Sequence, residues 1–358
     1  MRDVPAQAVT AAPEHAGPPR AVASYRTNLV TALLSVWFTI GLFLDAWAHN
    51  NVPRLETFFT PWHAVFYTGF AATAAWIGWT VRGTLRTPRE PVPVGYTPAV
   101  YAVSAFAVFG VGDGIWHTIF GIEQNITILF SPTHLGLIAS MLVIVTTPLR
   151  ATWADPGLPA APRFGRLLPA LLGTAFATTL VLLFLQYANA LTYGAGDFVV
   201  GLSNLDEDYS ARIVSGIAVT TLVLVAPLLV LAWRWAPPPG SATLVFVAVG
   251  GLSAAITEFD NRSVIIALLV AGVAVDLLGA WLRPTPDRPW HLRAYAAAVP
   301  LLAWTAIIVA SYATSPPLYA PNGEHAVPEL YTGVPLVQAL IGLLIAVLLT
   351  VRRAPVRP

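Results

Sequence analysis

Four of the seven histidines stand with two aspartates in a pattern that occurs twice. Asp45 and His49 bound the run Asp-Ala-Trp-Ala-His, and Phe59-Thr60-Pro61-Trp62-His63 follows. Asp113 and His117 bound Asp-Gly-Ile-Trp-His, and Phe130-Ser131-Pro132-Thr133-His134 follows. The shared grammar is D-x-x-x-H, a loop, then F-[S/T]-P-x-H. Residues i and i+4 lie on one helical face about 5–6 Å apart, so a carboxylate and an imidazole can grip one ion. Proline fits the first turn of a returning helix, where its missing N–H would have no partner in any case. Each hairpin therefore returns a second imidazole toward the first pair. Two imidazoles and a carboxylate leave positions open for an exogenous ligand, and the same donors serve copper, non-haem iron or zinc. There is no Cys, so any metal is held by His and carboxylate and no thiolate site exists.

The elements that carry these residues are set by composition. Of 358 residues, 56% are hydrophobic and 10% are charged, against about 25% charged in soluble domains. Apolar runs of about twenty residues match the length that crosses a bilayer as a helix. The expected fold is an all-α polytopic membrane protein of ten spans, near 28–49, 61–81, 98–118, 127–148, 167–188, 211–233, 242–258, 263–282, 294–313 and 334–351. Residues 1–25, rich in Ala and Pro, are expected to form a disordered cytoplasmic tail. Residues 26–150 then form a four-helix metal-binding region, a duplicated hairpin, and 151–358 a six-helix region of unknown role.

All basic residues are Arg, and 16 of the 19 fall in the tail, the C-terminus and alternate loops. The other loops hold Arg54, Arg212 and Arg262, together with Asp206, Glu207, Asp208, Glu324 and Glu329. The positive-inside rule then places both termini in the cytoplasm of a bacterial-type plasma membrane and both triads at its extracytoplasmic side. An ionisable group costs about 2.5–3.5 kcal/mol at mid-bilayer. Six of them in two matching sets favour metal binding over simple helix stapling. His15, His291 and His325 read as solvated or interfacial. The basic residues flank spans and form no stripe, which argues against a nucleic-acid partner.

The stretch Asp45 to Tyr67, DAWAHNNVPRLETFFTPWHAVFY, resembles the copper-site segment of the C subunit of particulate methane and ammonia monooxygenases. That family carries D-x-x-x-H, about a dozen residues with an acidic-Thr-x-Phe-Thr-Pro-Ser-His run, then an aromatic pair. Glu56-Thr57-Phe58-Phe59-Thr60-Pro61-Trp62-His63 follows that run with Trp62 in place of Ser. The resemblance implies copper on Asp45, His49 and His63, which would be the catalytic set. The family's second triad has Asn at the Asp position and carries over onto Asp113, His117 and His134; Asp113 adds a negative charge there. The likeness spans about residues 27–150, and neither the A subunit nor the B subunit's soluble domains have a counterpart in the chain.

Other polar residues are candidates for support. Glu56 and Glu123 sit in the hairpin loops, where they could orient an imidazole. Glu258, Asp260, Asn261 and Arg262 form a tight turn that could cap the sites or relay protons. Asp276 lies inside the eighth span, with Arg234 and Arg283 as candidate partners, and is a candidate step for transport. Three functions follow. The first is a copper-dependent monooxygenase, or a subunit of one, acting on a small apolar substrate or on O₂. With no haem motif and no Cys cluster, its electrons would come from a redox partner, another membrane subunit or a quinol. The second is copper acquisition or transfer across the membrane, although two Met are few for Cu(I) handling. The third is a membrane zinc hydrolase. Besides the lipid bilayer, a second copy of the chain is a candidate partner.

Overall fold

The computed structural model describes residues 21–52, 60–87, 91–121, 126, 129–203, 206–315 and 328–351. Among these there are helices and turns and no strand. The chain runs through α1 (Tyr25–Asn51), α2 (Pro61–Arg86), α3 (Thr97–Phe120), α4 (Pro132–Val145), α5 (Thr147–Trp153) and α6 (Phe164–Phe184). It continues through α7 (Ala195–Gly201), α8 (Glu207–Arg234), α9 (Ser241–Ile256), α10 (Arg262–Leu282), α11 (Pro289–Thr314) and α12 (Pro328–Leu349). Each of the ten expected spans overlaps a helix, the fourth crossing from α4 into α5. Among the described residues, eight helical stretches are long and apolar enough to cross a membrane: α1, α3, the joined α4 and α5, α6, α8, α10, α11 and α12. Two expected spans fall outside that set. α9 has 16 residues, and α2, although 26 residues long, is less apolar. Most of the 1–25 tail, Glu56, Glu123, His15 and His325 lie outside the described residues.

Local chemistry explains the helix starts that matter most. Thr60 and Ser131 are the N-caps of α2 and α4, and each hydroxyl accepts a hydrogen bond from the backbone N–H three residues on, that of His63 or His134. Pro61 and Pro132 occupy the first turn. The S/T-P-x-H spacing is thus a capped helix start that fixes its histidine at the third helical position. α4 stops at Thr146 because Pro148 cannot continue the ladder. Arg150 bridges the break, donating to the Val143 carbonyl at 2.7 Å, to the Thr146 and Thr147 hydroxyls at 2.6 and 2.9 Å, and to the Gly95 carbonyl at 3.3 Å.

α1 is central, packing against α2, α4, α6 and α9. Its contact with α2 is close. A Cβ on Gly41 would stand 2.7 Å from Phe66 Cα, and one on Gly69 2.8 Å from Phe38 Cα. The segment between α6 and α8 holds α7 and short turns, and is buried at Ala190, Leu191, Phe198 and Leu202. Its backbone is satisfied by side chains, as buried non-helical chain requires. Thr220 Oγ1 accepts from Ala190 N at 2.9 Å and donates to the Ala188 carbonyl at 3.3 Å. Asn189 donates to Ser253 Oγ at 3.2 Å, and Asn261 donates to the Leu191 carbonyl.

Asp276 is a structural cap, which replaces the transport reading. α9 begins after Gly240, a left-handed residue with no side chain to cap it. The Asp276 carboxylate reaches over from α10 and accepts from Ala242 N and Thr243 N, both at 2.9 Å, and from Thr243 Oγ1 at 2.6 Å. Among the described residues its partners belong to α9, and neither Arg234 nor Arg283 bridges to it. Asp276→Ala is expected to destabilise the fold by about 1–3 kcal/mol, the cost of buried donors losing their acceptor. Thermal unfolding in detergent measures that loss, and metal content should not change.

Candidate metal centre

The C-terminal turns of α1 and α3 and the first turns of α2 and α4 meet at one end of the bundle, and all six predicted ligands are there. In the first triad Asp45 is buried, His49 Nε2 lies 3.8 Å from Asp45 Oδ2, and His63 Nδ1 lies 3.4 Å from Asp45 Oδ1. The two imidazole centroids are 5.9 Å apart and nearly perpendicular at 87°. In the second triad Asp113 is 3% exposed, His117 Nε2 lies 3.3 Å from Asp113 Oδ2, and His134 Nε2 lies 3.4 Å from Asp113 Oδ1. Those rings are 5.5 Å apart at 54°.

These separations decide between two uses of the same side chains. A good N–H···O hydrogen bond spans about 2.7–3.2 Å. Ligands held about 2.0–2.2 Å from one first-row ion stand about 3–4 Å from one another. The 3.3–3.8 Å spacings fit the second description better. In both triads one ligand atom per residue falls within 4.8 Å of the others, so each group could hold a metal ion. Asp45 Oδ1 is buried and accepts no hydrogen bond among the described residues. Its neighbour there is His63 Nδ1 at 3.4 Å.

The triads differ in their support. Thr133 Oγ1 donates to Asp113 Oδ1 at 2.8 Å. His117 Nδ1 faces the Gly121 carbonyl at 3.2 Å, which keeps the proton on Nδ1 and leaves the Nε2 lone pair for a metal. In the first triad the position equivalent to Thr133 is Trp62, which packs edge-on against Trp47 at 5.6 Å and brings no hydroxyl to Asp45. His63 Nδ1 instead has Thr60 Oγ1 at 3.0 Å. Thr133→Val is expected to change metal affinity at the second triad by about 10–100-fold, the usual effect of removing a ligand's outer partner. Competitive chelator titration reads this, with the first triad as internal reference.

One cavity is lined by both triads. Its remaining walls include Phe66, Tyr67, Phe106, Leu137, Met141 and Leu183. Its volume is about 60 Å³ to the centres of water-sized occupants, room for about four waters at about 15 Å³ each. Tyr67 stacks on His63 with ring centroids 6.1 Å apart and 17° between planes. Thr133, Tyr67 and Phe106 were not candidates from sequence. Tyr67 was legible in principle, since four residues after His63 returns to the same helical face.

The turn at 258–262 does not line the cavity. It is tied instead to the end of α1 and to the buried segment: Asn51 donates to the Ile256 carbonyl at 3.0 Å, and Asn261 to that of Leu191. Glu258 and Phe259 take left-handed conformations there, at φ 52° and 66°. His291 Nδ1 bonds the Leu282 carbonyl at the end of α10, far along the chain from either triad. Comparison with protein-family models, with curated proteins and with solved structures gives no match for this chain.

Proposed function

We propose that the chain is a copper-binding membrane protein of ten spans, similar to the C subunit of copper membrane monooxygenases, that oxidises a small apolar substrate or reacts with O₂. In this reading both termini are cytoplasmic, the duplicated hairpins present both triads at the extracytoplasmic side, and Asp45, His49 and His63 are the catalytic set. The observation that carries it is that two Asp/His/His groups line one small cavity with otherwise apolar walls. Copper held there would supply one-electron chemistry toward O₂.

The rest of the chemistry belongs to the protein. The two carboxylates offset the charge of the ions, the imidazoles leave coordination positions open, and the aliphatic and aromatic walls exclude bulk water. A volume of about 60 Å³ limits the reacting end of a substrate to a few heavy atoms. With no Cys in the chain, electrons arrive from a separate donor. Elemental analysis and an EPR spectrum of the purified protein test the reading. One or two copper equivalents with a tetragonal Cu(II) signal support it. Zinc in place of copper would turn the assignment to a hydrolase, and iron to a non-haem oxygenase.

A further inference from the structure

A second, larger hollow opens on the outer side of the metal cavity, between α2 and α3. These helices touch at few points, and the α3 side of the hollow sets the small residues Ala107, Gly110 and Gly114 among Phe106, Val111 and Ile115. The hollow has a volume of about 1130 Å³, slightly above the largest ligand sites at about 1,000 Å³. Its rim on α3 is open, with Val111 69% and Ile119 66% exposed. From Thr60 to Phe70 on α2 it runs about 15 Å at about 1.5 Å per residue.

Three features define what fits. The hollow and the metal cavity share His63, Tyr67 and Phe106, so one wall of side chains separates them. Apart from the Tyr67 hydroxyl, polarity is confined to one end: Thr60, His63 and Thr118 lie where α2 begins and α3 ends, while Phe70 and Ala107 mark the other end. No Arg and no carboxylate lines it, and Asp45 and Asp113 stand just behind His63. The lining itself therefore offers an anionic head no counter-charge.

We infer that the α2–α3 groove binds a single-chain membrane amphiphile with a neutral hydroxylated head, placed at the Thr60–His63–Thr118 end with its chain lying toward Phe70 and Ala107. Binding rests on the groove alone. Its role as the path by which a lipid-dissolved substrate reaches the cavity rests on the metal reading proposed above. Tyr67, stacked on His63 and facing Gly110 across the groove, is the side chain that must turn for the head to pass.

The test is photolabelling in phosphatidylcholine nanodiscs with a long-chain alcohol carrying a diazirine, on both the purified protein and a metal-stripped sample. Adducts are expected to concentrate on residues 60–70 and 106–119, to be competed by 1-dodecanol and to resist dodecanoate. Gly110→Leu and Ala107→Leu should each lower labelling about tenfold, equivalent to about 1.4 kcal/mol of lost contact. A Cβ at Gly110 would meet Tyr67 at 3.5 Å, an ordinary contact, so the substitution starts with no backbone clash. Three outcomes would overturn the inference. They are adducts spread evenly over the outer faces of α10 and α12, labelling unmoved by both variants, and cross-links joining two copies of the chain, which would give the groove to a second protomer. Equal competition by dodecanoate would overturn the neutral head. Labelling that holds while both His63→Ala and His134→Ala leave metal content unchanged keeps the groove and removes the metal reading.

Discussion

His63→Ala is expected to remove about one metal equivalent per chain, because losing one of three protein ligands leaves Asp45 and His49 alone around the ion. His134→Ala should remove a different equivalent. Both proteins should still insert and purify, since each substitution deletes an imidazole from a cavity wall and leaves the caps at Thr60 and Ser131 in place. Elemental analysis gives the stoichiometry, and EPR shows which signal each variant loses. Separate losses mean two mononuclear centres. Loss of both ions in either variant means one coupled centre, which the shared cavity permits. If both variants keep the wild-type metal content, the six polar residues are helix staples and the functional reading fails.

The second large effect is steric. Gly41→Ala places a methyl carbon 2.7 Å from Phe66 Cα, 3.0 Å from Phe66 N and 3.1 Å from the Val65 carbonyl oxygen. All three are backbone atoms, which cannot rotate away as a flexible side chain would. Overpacking of this kind costs about 1–3 kcal/mol, and relief comes by moving α1 away from α2. Gly41 lies one helical turn before Asp45, and Phe66 three residues after His63, so that movement widens the gap between Asp45 and His63. The expected result is a lower unfolding temperature together with selective loss of the first-triad metal. The second triad, held between α3 and α4, should keep its ion. Equal loss from both triads would show that the α1–α2 crossing supports the whole cavity and not one half of it.

The recognisable parts of the site were those written in short-range geometry. D-x-x-x-H places two side chains on one face because a helix turns every 3.6 residues. S/T-P-x-H fixes a histidine on the first turn because the hydroxyl caps the N–H three residues ahead. Both relations hold inside about one helical turn, so they survive without knowledge of the neighbours. The apolar runs likewise marked the long helices, since crossing length and hydropathy are properties of a segment, while the short α7 carries no such run. Even the stop at Thr146 is local, as Pro148 is visible in the sequence, although the fourth span was read as running through it to residue 148.

What the sequence by itself determined, then, is the long apolar helices and the two Asp/His/His groups. Tertiary structure decided how those pieces face one another. Whether two triads line one cavity depends on the rotation of four helices about their axes, and that rotation is set by contacts such as Gly41 against Phe66 and Gly69 against Phe38. Asp276 had the appearance of a lone charge in a span until α9 brought its first backbone N–H groups against it. Thr133 and Trp62 occupy the same motif position, yet one bonds an aspartate and the other packs on Trp47. Each of these outcomes is a relation between residues far apart in the chain. The physical reason is that a side chain's type fixes what it can bond, while the packing of neighbouring helices fixes what it can reach.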